Sequence, residues 1–190
     1  MTADERRMIL IINGSFGVGK STVARLLRRR IAGSRLYNPE WAGSVLMRLP
    51  PVIRLAGSGT DDFQDIGLWR KSVVRGTKLF RSLARATVIV PMAFSRREYF
   101  DEILEGLREI DACVKIFCLQ AGMETILKRL RQRGENIESD DNWVVRKARE
   151  CIEAHRDAHF GEAVKTDDLS ATEVADEILR RLADTNEHRK

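Results

Sequence analysis

Residues 14–21 read Gly-Ser-Phe-Gly-Val-Gly-Lys-Ser, a complete G-x-x-x-x-G-K-[ST] spacing. Phosphate groups need this pattern: glycines let backbone N–H groups crowd around phosphate oxygens, and the amino end of a following helix adds positive potential. Lys20 is then placed to reach the β- and γ-phosphates of a nucleoside triphosphate, and the Ser21 hydroxyl to ligate Mg²⁺. Gly14, Ser15, Phe16, Gly17, Val18, Gly19 and Thr22 complete the cradle, and ATP with Mg²⁺ is the expected ligand. An exposed ammonium at Lys20 is expected to serve phosphate and not the core.

Phosphoryl transfer to a hydroxyl also needs a carboxylate that orients the acceptor and takes its proton. Glu40, in Tyr37-Asn-Pro-Glu40, and Asp61-Asp62 are the candidates. Open parallel sheets bind ligands at the carboxyl ends of their strands, which favours Glu40, while Asp61 reads equally as a helix N-cap. Val88-Ile-Val-Pro91-Met92 ends without an aspartate, so Mg²⁺ falls to Ser21, phosphates and water, with help from Glu40 or Asp62. Arg129 and Arg133 stand at i and i+4 before a polar break at 134–142. In small P-loop kinases an arginine pair there opens the lid that closes over the nucleotide.

Other polar residues read as structural. Ser95-Arg-Arg-Glu98 and Ser170-Ala-Thr-Glu173 are capping boxes, the first with Phe94 and Tyr99 and the second with Leu169 and Val174 as staples, so their serines cap helices. His155 and His159 form an i, i+4 pair on a helix surface without a third metal ligand. Cys113, Cys118 and Cys151 are too few and too oddly spaced for a disulfide framework or a zinc site, and read as buried thiols in a reducing cytosol. Trp41, Trp69 and Trp143 read as core anchors, with Trp41 and Trp69 beside the acceptor segments.

The elements that must position these residues follow from periodicity. Apolar runs at 8–13, 34–38, 86–92, 113–119 and, more weakly, 162–166 predict strands. The third and fourth are continuously apolar, which points to a parallel sheet covered on both faces. Val23, Leu26, Leu27 and Ile31 mark one helix face after the phosphate loop. A helix carrying Ile66, Trp69 and Val73 and another beginning at Trp143 are also predicted. Pro50-Pro51 and Gly57-Ser-Gly59 interrupt the alternation within an acceptor-side insert at about 40–80, and a lid is expected at about 129–145. The expected architecture is α/β: a P-loop NTPase fold of the nucleotide-kinase type, with a five-stranded parallel sheet flanked by helices in a single domain over 1–190.

Composition narrows the partners. The chain has 190 residues, 43% of them hydrophobic, and a net charge of +5 that suits an anionic ligand. With only 6% aromatics there is no interleaved basic and aromatic surface to stack bases, so nucleic acid is not expected. The first apolar run, closed by Gly14, is too short for a signal peptide, and none approaches a transmembrane span, so a soluble cytoplasmic protein is expected.

Taken with the loop and with Tyr37-Asn-Pro-Glu40, the blocks Asp61-Asp-Phe-Gln64, Leu68-Trp-Arg70, Ile89-Val-Pro-Met92, Glu98-Tyr-Phe-Asp-Glu102, Leu127-Lys-Arg-Leu-Arg131 and Lys165-Thr-Asp-Asp-Leu-Ser170 resemble the tunicamycin-resistance protein family. The resemblance spans most of the chain, and its specificity lies in the Asp-Asp-Phe-Gln and Ile-Val-Pro-Met blocks. It implies an ATP-binding protein that confers resistance to tunicamycin, a nucleoside antibiotic mimicking a UDP-sugar, by phosphorylating the drug. Lys165, Thr166 and Asp167 would then line the adenine, as in similar kinases. Asn38 departs from an expected Asp-Pro-Glu. Sequestration of the drug without catalysis, and a sugar or nucleotide kinase acting on an ordinary metabolite, are the alternatives.

Overall fold

The computed structural model describes residues 7–40, 62–83, 87–137 and 142–187. In chain order these form β1 (Ile9–Gly14), α1 (Lys20–Arg30), β2 (Arg35–Leu36), α2 (Gly67–Leu83), β3 (Val88–Pro91), α3 (Arg97–Ile110), β4 (Val114–Gln120), α4 (Met123–Gln132), α5 (Trp143–Ala154), β5 (Glu162–Lys165) and α6 (Ala171–Glu187). The strands make one sheet in the order β2-β3-β1-β4-β5, and every pairing is parallel. This is the five-stranded sheet the apolar runs predict, with β2 shortened to two residues.

Because successive side chains of a strand point to opposite faces, the apolar run of β1 feeds two cores. Leu10 and Ile12 join Ile89, Phe117 and Leu119 under α1, α4 and α6. Ile9 and Ile11 join Val88, Val90 and Cys118 under α2 and α3, with Trp69, Phe94 and Phe100 as the large fillers. Each such side chain contributes about 1.5–3 kcal/mol when fully buried. Both faces being covered explains why β1 and β3 carry no polar alternation.

Helix boundaries follow local chemistry in one predicted case and depart from it in another. Ser170 and Glu173 form the expected reciprocal cap at the start of α6: the Ser170 N–H donates to Glu173 Oε2 at 2.7 Å, and the Glu173 N–H to Ser170 Oγ at 3.2 Å. Ser95 does not cap α3. The chain stays extended through Arg96 (φ −103°, ψ 124°), which becomes the N-cap without a side-chain bond. Arg96 donates instead to Asp65 at 2.7 Å and to Tyr99 at 3.0 Å, and Phe94 packs on Phe100. A contact with a distant carboxylate therefore displaces the local cap and staple.

Trp41, Asp61, Pro50-Pro51 and Gly57-Ser-Gly59 lie outside the described residues, as do 138–141 of the polar break. Among the described residues no helix is long and apolar enough to cross a membrane.

Candidate functional site

The phosphate loop leaves the carboxyl end of β1, where its entry is fixed by Asn13, a fully buried residue. Asn13 Oδ1 accepts the N–H of Gly14 at 2.9 Å and of Phe94 at 3.1 Å, and its amide donates to the Phe160 carbonyl at 3.2 Å. One side chain thus ties the loop to the exit of β3 and to the turn before β5. Gly17 and Gly19 take φ of 81° and 110°, a region in which a β-carbon is strained. At Gly19 no atom beyond its immediate chain neighbours lies within 4 Å of where that carbon would sit, so the loop faces open volume where phosphate oxygens can approach.

Lys20, the first residue of α1, is not exposed as expected but only 6% accessible. It donates to the Ser15 carbonyl at 3.0 Å, lies over the Phe16 ring at 5.3 Å, and stands 3.8 Å from Glu40 Oε1. The structure therefore brings the predicted phosphate lysine and the predicted acceptor carboxylate together. Asn38 Oδ1 accepts the Glu40 N–H at 3.1 Å, and the buried Trp69 indole donates to the Pro39 carbonyl at 3.1 Å; together they hold the Pro39-Glu40 segment in place. Ser21 and Thr22 follow in the first turn of α1, with Ser21 exposed to the loop's solvent side.

Asp62 is also buried, and both of its oxygens are engaged. Oδ1 accepts the Gln64 N–H at 2.9 Å, capping a short 3₁₀ turn (Phe63–Asp65), and Oδ2 faces the Lys147 ammonium at 3.2 Å. Lys147, on α5, also donates to Glu150 at 2.8 Å. Burial pulls the Lys147 pKa down, but the bonds to Glu150 and Asp62 more than offset this and hold it above the usual value.

At the other end of the loop, Arg129 of α4 donates to the Val18 carbonyl at 3.1 Å and to the Thr166 hydroxyl and carbonyl at 3.0 and 2.5 Å. Asp167 Oδ1 accepts the Gly122 N–H at 2.8 Å and the Thr125 hydroxyl at 2.7 Å, which lower its pKa. Arg129, Thr166 and Asp167 thus converge, while Lys165 is exposed beside them. Arg133 does not share a helix face with Arg129: α4 ends at Gln132, and Arg133 is its exposed C-cap. A cavity of about 260 Å³, lined by Ser15, Gln120, Gly122, His155, Lys165 and Asp167, opens between the loop and the end of β5.

His155 corrects a second expectation. α5 ends at Ala154, so His155 and His159 share no helix face, and His155 is buried. Its Nε2 lies 2.6 Å from the Phe94 carbonyl, which can only accept, so that nitrogen carries the proton. Burial lowers its pKa to about 4, leaving a neutral imidazole as a structural donor. His159 instead contacts Asp101 at 2.6 Å on the surface.

Asn13, Lys147 and His155 support the site from outside the motifs that mark it in the sequence. One signal was available: Trp143, Lys147 and Cys151 recur every four residues along α5, and His155 continues the spacing as its C-cap. That spacing marks one stripe of a helix whose charged residues Arg146, Arg149, Glu150 and Glu153 fall off it.

The arrangement fits the chemistry of a bound magnesium nucleotide. The Ser21 hydroxyl is the protein ligand on offer, and among the described residues no group of three His, Cys, Asp or Glu could itself hold a metal. The sheet order and the loop-to-helix geometry define a P-loop kinase-like protein. The family model described as "AAA domain" matches residues 9–159, and the chain belongs to that family.

Solved structures agree. The tunicamycin resistance protein of Deinococcus radiodurans is similar at 27% identity with a TM-score of 0.73, covering 93% of this chain and 96% of its own. A gluconokinase from Sinorhizobium meliloti 1021 shares the fold at 21% identity and TM-score 0.66, covering 96% and 95%. Shikimate kinase from Acinetobacter baumannii does so at 16% identity and TM-score 0.65, covering 96% and 97%. No curated protein matches the chain. The resemblance read in the sequence blocks is thus also a resemblance of structure.

Proposed function

We propose that this chain uses Mg·ATP to phosphorylate a hydroxyl of a small nucleoside-like or sugar-like acceptor, with tunicamycin as the favoured one, and so confers resistance to the drug. The observation that carries the reading is the approach of Lys20 to Glu40 at 3.8 Å beside the phosphate loop. A cation suited to phosphate and a carboxylate suited to a hydroxyl proton meet where the two substrates would meet.

In this mechanism the loop N–H groups and Lys20 hold the β- and γ-phosphates and stabilise the charge that develops on them. Ser21 would hold magnesium, which would supply charge neutralisation to the phosphates. Glu40 accepts the hydroxyl proton as the acceptor oxygen attacks the γ-phosphorus, the bond from that phosphorus to the β–γ bridging oxygen breaks, and ADP leaves with the electron pair. Asp62, its oxygens held by Lys147 and the Gln64 N–H, shapes the acceptor side and leaves Glu40 as the base. Arg129, Lys165, Thr166 and Asp167 frame the nucleoside end, and Arg133 stands at the start of the lid.

One observation favours binding without turnover. Asn38, which stands where an aspartate is expected, is turned back onto the Glu40 N–H. Incubating drug, protein and Mg·ATP separates the two readings. A drug species heavier by one phosphoryl group, absent with Lys20→Ala, is expected. Unchanged drug at stoichiometric protein would remove the kinase reading, and rapid turnover of an ordinary sugar or nucleotide would demote the resistance role.

A further inference from the structure

The first turn of α5 carries a donor that the free protein does not use. Trp143 packs edge-on against Phe16 of the phosphate loop, with ring centroids 5.2 Å apart and planes at 69°. Its indole Nε1 is shut off from water and has no hydrogen-bond partner. A buried indole N–H ordinarily finds an acceptor, and a group left without one at a functional site calls for an explanation.

Its neighbours suggest which acceptor. The Lys20 ammonium lies over the same Phe16 ring that Trp143 touches, so ammonium, phenyl and indole are consecutive neighbours. Lys20 belongs to the β- and γ-phosphate end of such a loop, whereas Arg129 and Thr166 mark the nucleoside end. One turn beyond Trp143 on the same stripe, Lys147 reaches Asp62 on the acceptor side. The indole therefore lies one aromatic ring away from the lysine of the terminal-phosphate end, and no carboxylate or carbonyl among the described residues accepts from it.

We infer that Trp143 donates its indole N–H to an oxygen of the terminal phosphate of the bound nucleoside triphosphate, once the contact with Phe16 opens to admit it. The inference rests on the nucleotide reading above. It adds α5 to the loop and α1 as a third element touching the phosphates, and it gives the helix beyond the lid a direct sense of whether the third phosphate is present.

Trp143→Phe keeps an aromatic ring against Phe16 and removes the donor together with the rest of the indole's second ring. Calorimetry with a non-hydrolysable magnesium triphosphate analogue is expected to show binding weakened about tenfold or more, the usual worth of a hydrogen bond to a charged group. The melting temperature of the free variant reports only the packing lost with the smaller ring, since no hydrogen bond is lost, and that loss applies equally to the triphosphate and diphosphate arms. Equal affinity in variant and wild type would overturn the inference while leaving the nucleotide reading intact. An equal loss with Mg·ADP would overturn the assignment to the terminal phosphate.

A second measurement does not depend on the variant's stability. In wild-type protein with ¹⁵N-labelled indoles, the Trp143 signal, identified by its absence in the variant, is expected to shift with the triphosphate analogue. A stationary signal at saturation would overturn the inference. Wild-type protein that takes up no magnesium nucleotide at all would remove both readings together.

Discussion

Lys147 and Asp62 face each other at 3.2 Å, each less than a tenth exposed, and this ion pair fastens α5 to the acceptor-side turn. Gln64 in that turn donates to the Ala93 carbonyl at 2.7 Å, so the pair also links α5 to the exit of β3. Removing one partner of a buried pair leaves an uncompensated charge. Lys147→Met is therefore expected to lower unfolding free energy by about 3 kcal/mol, with the double substitution Lys147→Met/Asp62→Leu recovering much of the loss. Urea denaturation measures both, and a double variant no more stable than the single would show that the pair is not what fastens the turn.

Gly76 is demanded by a neighbour and not by its own backbone. A β-carbon there would lie 2.2 Å from the Tyr37 hydroxyl, and Tyr37 is wedged against Phe80 with its hydroxyl donating to Ser72. Overpacking costs about 1–3 kcal/mol, against a helix-propensity gain near 1 kcal/mol for alanine over glycine. Gly76→Ala should therefore destabilise in the wild-type background and stabilise in a Tyr37→Ala background. The same sign in both backgrounds, read from thermal melts, would exclude this packing account.

His155 gives stability a pH dependence. Its folded pKa of about 4 lies below the unfolded value near 6.5, so the unfolded chain binds the proton more readily. The His155 contribution is complete above pH 6.5 and is lost as pH falls towards 4, about 3 kcal/mol over that window. A urea midpoint measured at several pH values should fall across this range in wild type and fall less in His155→Gln.

Arg129 spends its guanidinium on Val18 and on both oxygens of Thr166, a fork that a lysine cannot reproduce. Arg129→Lys keeps the charge, yet nucleotide affinity is expected to drop about tenfold by calorimetry as the nucleoside end loosens. Undiminished affinity would show that charge alone suffices there.

What could be read from the sequence was what is decided locally. The loop motif, its strand and its helix depend on residues within a few positions of one another, and so does the Ser170–Glu173 cap. The Ser95 cap failed because Arg96 is drawn to Asp65, 31 positions away. His155 was misplaced because its partner, the Phe94 carbonyl, is 61 positions away. Lys147 offered only its place on that four-residue stripe, and its pairing stayed hidden until the fold set Asp62 opposite it. The position of Glu40 beside Lys20 was legible because topology, not pairing, places the end of β2 at the ligand edge of the sheet.

The α5 stripe also runs through Cys151, whose thiol burial pushes up to about 12, as it does that of Cys118 on the adjoining strand. A thiol kept protonated and out of reach reacts with alkylating reagents only when its shelter opens. Timed alkylation of these two sulfurs is therefore a natural stopwatch for α5 peeling from the sheet, read by mass without any added label, and a bound nucleotide that clamps the helix should slow it.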